Sequence, residues 1–367
     1  MLSSKQFYIM LIIGVISMKM QKLPGLVYGE LGKDGYLLFL IYMLVNILLI
    51  ILVFFIIKRI NFDSILKQRK SVLAEGVRKI LFIVASVYFL SQALLLYEHI
   101  QGLFANTLFD NLSWALFSLL LLFAVFFLAF KGIENIALNY EIYLWVILGS
   151  CLAISILGVG YTDLSVVFPF ETLNLLQVFK QLPSFSFWFG DAILVLILGA
   201  KTKEIKLSKT LICYIFTMCF VSFLVIEFYG MYSSYASVQP GLIGVLSSQA
   251  LLGLNIGRVD WFLILFAELG AILTCAVYLY YSNLCAETAF SRAKPTILKV
   301  VVILLLYVVD VFYFVDMSAK INLFHGDISW ISAALQGLII LVLLFVGLVN
   351  YRHKNNKNDL LKRRLKS

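Results

Sequence analysis

A 367-residue chain that is 62% hydrophobic and only 13% charged cannot be an ordinary water-soluble globule. Its net charge of +9 lies in loops and tail, where a membrane protein keeps it, and does not indicate nucleic acid. The five cysteines are scattered without a CxxC pair, the three histidines are far apart, and Walker, GxGxxG, HExxH and GxSxG patterns are absent, so no metal, cofactor or enzyme chemistry is expected.

Taken in order, the chain predicts an all-α integral membrane protein of ten spans, at about 6–27, 36–57, 80–103, 112–130, 142–159, 173–200, 211–229, 261–281, 297–314 and 331–350. The first apolar run resembles a signal-peptide core, but it ends in Met-Lys-Met-Gln-Lys with no small-residue cleavage site, so it is read as a retained span. That span is expected to be interrupted around 14–18 and again near Pro24. The sixth is too long for one straight crossing and carries Pro183, Ser184, Ser186 and Gly190 in its middle. A broken helix is tolerated inside hydrocarbon only where protein or a cavity satisfies the freed backbone groups. The alternative is a short surface helix, a proline loop and a shorter span.

Lys58, Arg59, Lys67, Arg69, Lys70, Arg78 and Lys79 follow span two; four lysines follow span six; Arg292, Lys294 and Lys299 follow span eight; and the tail is strongly basic. With ten spans all of these fall on one side, which makes both termini cytoplasmic by the positive-inside rule. The outer stretch 230–260 has few charges and several glycines, and reads either as an interfacial or re-entrant cap or as an amphipathic loop helix. Ten spans divide into inverted repeats of five, about 6–160 and 171–350, within one transmembrane domain (1–350) followed by a cytoplasmic tail, 351–367. Spans one and six then correspond, and QKLP at 21–24 echoes KQLP at 180–183.

Four stretches carry a family resemblance: LSSKQFYIMLIIGVISMKMQKLPGLVYGELGKDGYLL, FSFWFGDAILVLILGAKTKE, IEFYGMYSSYASVQPGLIGVL and IGRVDWFLILFAELGAILTCAVYLYYSN. The layout resembles the amino acid–polyamine–organocation superfamily with its LeuT-type five-plus-five fold. Within it, the chain resembles the endospore germination permeases, the B subunits of GerA-type nutrient germinant receptors. Lys19, after the first break, departs from that pattern. The resemblance implies a multi-pass protein of the spore inner membrane that binds a small nutrient, such as an amino acid, and triggers germination. It also implies two partners, a larger A subunit and a C lipoprotein. The other reading of the same fold is an ion-coupled secondary amino-acid transporter.

The candidate ligand-binding residues are Gly14, Ser17, Lys19, Phe185, Phe187, Asp191 and Glu268. Gly14 and Ser17 fall near mid-bilayer, where a break exposes backbone groups to a ligand or, alternatively, a helix-packing face forms. Lys19 either attracts a carboxylate or snorkels to the outer surface. Asp191, Glu268 and Asp310 are acids near mid-bilayer, each costly unless paired, protonated or hydrated. A ligand's amine needs an acceptor, which either the broken-helix carbonyls or Asp191, nearest the sixth-span break, can supply, while span-one amides can hold its carboxylate. Phe185, Phe187 and Trp188 either wall an apolar pocket or simply pack.

Overall fold

A computed structural model describes residues 1–59, 75–107, 114–167, 175–239, 260–313 and 329–344. The basic tail, most of the loop after the second predicted span and most of the glycine-containing outer stretch lie outside the described residues.

Among the described residues the chain is helical, apart from one isolated bridge between Leu2 and Thr202. The N-terminal half comprises α1 (Ser4–Lys19), α2 (Leu23–Leu31), α3 (Tyr36–Arg59), α4 (Glu75–Thr107), α5 (Trp114–Lys131) and α6 (Ile133–Val159). The short α7 (Leu164–Val167) leads to α8 (Leu175–Phe185), α9 (Asp191–Ala200) and α10 (Leu207–Tyr232). α11 (Asp260–Ala289), α12 (Pro295–Tyr313) and α13 (Ser329–Leu344) follow.

Among the described residues, six segments are long and apolar enough to cross a bilayer: Leu23–Lys58, Lys79–Phe104, Ile133–Val159, Leu175–Ala200, Leu207–Val238 and Phe262–Ala289. Leu116–Lys131 and Ser329–Leu344 are shorter apolar helices, and α12 overlaps the ninth predicted span. The first predicted span is divided, as expected. At 16 residues α1 is only ~24 Å long at ~1.5 Å per residue, and α2 has nine residues.

Of the two interruptions expected, the one near Pro24 is present and the one around 14–18 is not. α1 runs unbroken through Gly14 and Ser17 to Lys19, and the helix stops at Met20–Lys22. Glycine in an apolar helix lowers propensity without breaking it when a neighbouring helix needs the close approach. Pro24 sits at the start of α2, where its missing N–H has no helical partner to lose. Pro183 likewise lies inside α8; that helix ends two residues later, in a 3₁₀ turn over Ser186–Phe189.

Local chemistry fixes the start of α1. Ser3 Oγ accepts from Gln6 N at 3.2 Å while Gln6 Oε1 accepts from Ser3 N at 2.9 Å, a reciprocal capping box. The chain before the cap is tied to the end of α9, because Leu2 N donates to Lys201 O at 3.0 Å. Thus α1 and α9 run antiparallel, and the far end of α1 meets the first residue of α9. α11 packs along α4 and α6, α9 packs on α3, and α1 contacts α6, α10 and α11.

Burial separates the centre from the lipid face. The most apolar part of Leu175–Ala200 is 83% buried, against 33% for Ile133–Val159, so the broken segment is central and α6 peripheral. Trp145 and Ile156 on α6 are outward-facing, as a hydrocarbon solvent allows.

A candidate binding site at two helix breaks

Ending α8 and restarting as α9 leaves carbonyls without helical partners, and in hydrocarbon each such group needs a donor. The 3₁₀ turn receives four, each from a different helix. Gln336 Nε2 on α13 donates to Ser186 O at 3.1 Å, and Gln92 Nε2 on α4 donates to Phe187 O at 2.9 Å. Lys19 Nζ on α1 donates to Trp188 O at 3.3 Å, and Asn46 Nδ2 on α3 donates to Phe189 O at 3.2 Å. Asn46 also accepts from Ala192 N at 3.3 Å through Oδ1, so one amide serves both sides of the break.

Further contacts hold the turn in place. Ser329 Oγ accepts from Phe187 N at 3.0 Å, and Ser186 Oγ donates to Ser329 O. The Tyr42 ring stacks on Phe189 at 3.9 Å, and its hydroxyl donates to Leu182 O. Gly190 leaves no room for a side chain: a Cβ there would lie 2.5 Å from the Tyr88 hydroxyl.

The charged centre is the Lys19–Asp191 pair. Lys19 Nζ lies 2.6 Å from Asp191 Oδ1, and both side chains are buried. The Tyr214 hydroxyl on α10 donates to Asp191 Oδ2 at 2.9 Å. The Phe189 ring centroid is 5.0 Å from Nζ, within cation–π range. Asp191 is also the first residue of α9, where a carboxylate suits the positive end of the helix dipole.

Of the residues singled out from sequence, Lys19 and Asp191 meet directly. Phe187 lies within the turn, and Phe185 is buried at the end of α8 beside it. Lys19 does not snorkel: it is 0% exposed, because a break carbonyl and a carboxylate are closer to it than water is. Gly14 faces α9, where an added Cβ would lie 2.8 Å from Leu194 Cδ2. Ser17 turns toward α11; its Oγ lies 2.9 Å from where a Cβ on Gly270 would be. Glu268 is buried on α11 and receives Gln21 Nε2 on both oxygens, each at 3.0 Å. Asp310 forms a separate cluster, accepting from Ser118 Oγ at 2.8 Å and Gln101 Nε2 at 3.3 Å. Among the described residues, no three His, Cys, Asp or Glu side chains converge as a metal site requires.

Sequence reading passed over Asn46, Gln92, Tyr214 and Gln336. For the three amides the signal was available: a single amide inside an otherwise apolar span, as in YLLFLIYMLVNILLIILVFF, needs a partner at that depth.

Comparison with known families places this architecture. The family model described as spore germination protein, a spore permease, matches residues 1–320. The chain belongs to the spore germination protein family. Together with its apolar helices, membership makes this permease-like germination protein a multi-pass membrane protein. No curated protein matches the chain. The matched region of this family member contains both helix breaks and the Lys19–Asp191 pair, while Ser329 and Gln336, which hold the turn, lie beyond it.

Proposed function

We propose that the chain is the membrane subunit of a spore nutrient germinant receptor. It binds a small nutrient such as an amino acid where the α1/α2 and α8/α9 breaks meet, and binding triggers germination. One observation supports this above others: in a spore germination family member, a buried ion pair and a donor-capped turn lie where two interrupted helices converge. Gly14, Ser17, Lys19, Phe185, Phe187, Asp191 and Glu268 line or support that region, and helix movement on binding repacks it. Inverted-repeat proteins build their sites from such discontinuous helices.

The proposal includes ten transmembrane helices in a LeuT-type five-plus-five inverted repeat, with repeats at about 6–160 and 171–350 in one domain, 1–350, and a basic cytoplasmic tail. Both termini then face the cytoplasm, in the spore inner membrane, and an A subunit and a C lipoprotein are the partners. Cysteines placed at 67–71 and at 233–237 are expected to label from opposite sides of the membrane.

Deletion of the gene tests the function. The expected result is loss of the germination response to one nutrient class with vegetative growth intact. Normal germination with an amino-acid uptake defect in growing cells would instead identify an ion-coupled transporter.

A further inference from the structure

We infer that the Lys19 ammonium is the resident cation of the helix break, so that neither an alkali cation nor a ligand's ammonium binds at Asp191. This deepens the binding-site reading and rests on it. The seat has what a cation needs in hydrocarbon: a carboxylate oxygen at 2.6 Å, a peptide oxygen at 3.3 Å and an aromatic face at 5.0 Å. The chain fills it with its own side chain, completely buried.

The remaining acceptors are also taken. Asp191 Oδ2 receives Tyr214, and the other three carbonyls of the turn receive Gln336, Gln92 and Asn46. An ammonium carries three N–H donors, and among the described residues Lys19 directs two at oxygen acceptors. Trp188 Nε1, in the same turn and buried, has no acceptor among the described residues. What the break offers a ligand is therefore chiefly N–H. Among the described residues, the one orphan buried acceptor on a capping side chain is the neutral amide oxygen of Gln92. A ligand meets this seat through an oxygen acceptor, a carboxylate or carbonyl, and its amine does not displace Lys19 from Asp191. The naive pairing of Asp191 with a ligand amine is reversed.

The test uses the purified full-length chain in detergent, with thermal unfolding followed in sodium chloride, choline chloride or n-propylammonium chloride at equal ionic strength. The wild-type midpoint is expected to be the same in all three. Lys19→Ala empties the seat; its midpoint should fall by several degrees and recover in part with n-propylammonium but not with bulky choline. In Lys19→Ala/Asp191→Asn the recovery should vanish. A wild-type midpoint raised by sodium or n-propylammonium over choline, with the rise lost in Asp191→Asn, would overturn the inference. So would a folded Lys19→Ala protein indifferent to n-propylammonium. Should Lys19→Ala not fold, the wild-type comparison decides alone. None of these outcomes depends on a germination phenotype, so this inference can fail while the receptor reading stands.

Discussion

Lys19 and Gln21 stand two residues apart where α1 ends, yet they solve opposite problems. Lys19 faces α9 and neutralises Asp191, charge against charge, in a site without water contact. Gln21 faces α11 and offers a neutral amide to Glu268, which has no cation partner among the described residues. The first pair is interdependent, because either member alone is an uncompensated charge in low dielectric. The second is a hydrogen bond whose loss leaves a carboxyl short of one donor. The contrast shows that two buried acids facing the same end of α1 need not share a role.

Breaking the first pair is expected to have the largest effect. Lys19→Met keeps the length of the side chain and removes the charge, leaving Asp191 with Tyr214 alone. A loss of about 3–5 kcal/mol is expected from the cost of stranding one member of a buried pair, read as a large drop in thermal midpoint of the purified protein. Gln21→Leu should cost less, about 1–3 kcal/mol, the usual penalty for a buried polar group that loses its partner. Equal losses from the two variants would erase the distinction.

The comparison sharpens further in germination assays. Asp191→Asn preserves shape and removes the carboxylate that aims Lys19; a misaimed ammonium weakens its charge-assisted bond to a ligand oxygen, worth about 1.5–3 kcal/mol, which corresponds to roughly a ten- to hundred-fold shift in the nutrient concentration needed. Ser17→Ala, buried against α11 and outside the ion pair, should shift that curve less, by about tenfold at most, because it removes no more than one neutral hydrogen bond worth about 0.5–1.5 kcal/mol. An unshifted midpoint for Asp191→Asn at matched protein level would remove the carboxylate from nutrient sensing.

Much of this was legible before any coordinates. Apolar run lengths give helices that the structure also contains, and the composition alone demands a membrane setting. The sixth-span interruption shows in Pro183 and Gly190, although the helix survives Pro183 and ends only at Phe185. In the first span the interruption near Pro24 was legible, but the one expected around 14–18 is absent, because Gly14 looks like a breaker in sequence yet serves the close approach of α1 to α9. Side-chain direction was the harder loss. Lys19 reads as a snorkelling residue until the α1–α9 antiparallel contact sets Asp191 beside it. Asn46, Gln92 and Gln336 cap successive parts of one turn from three helices, and single-chain periodicity holds no information on such convergence.

The central claim is that Lys19 and Asp191 act as one buried unit. A double-mutant cycle of Lys19→Met, Asp191→Leu and the combination, followed by thermal unfolding in detergent, measures their coupling directly. The account predicts that the double variant is more stable than either single variant, with a coupling energy of at least about 2 kcal/mol, because removing both charges strands neither. Additive losses, agreeing within about 0.5 kcal/mol, would contradict it.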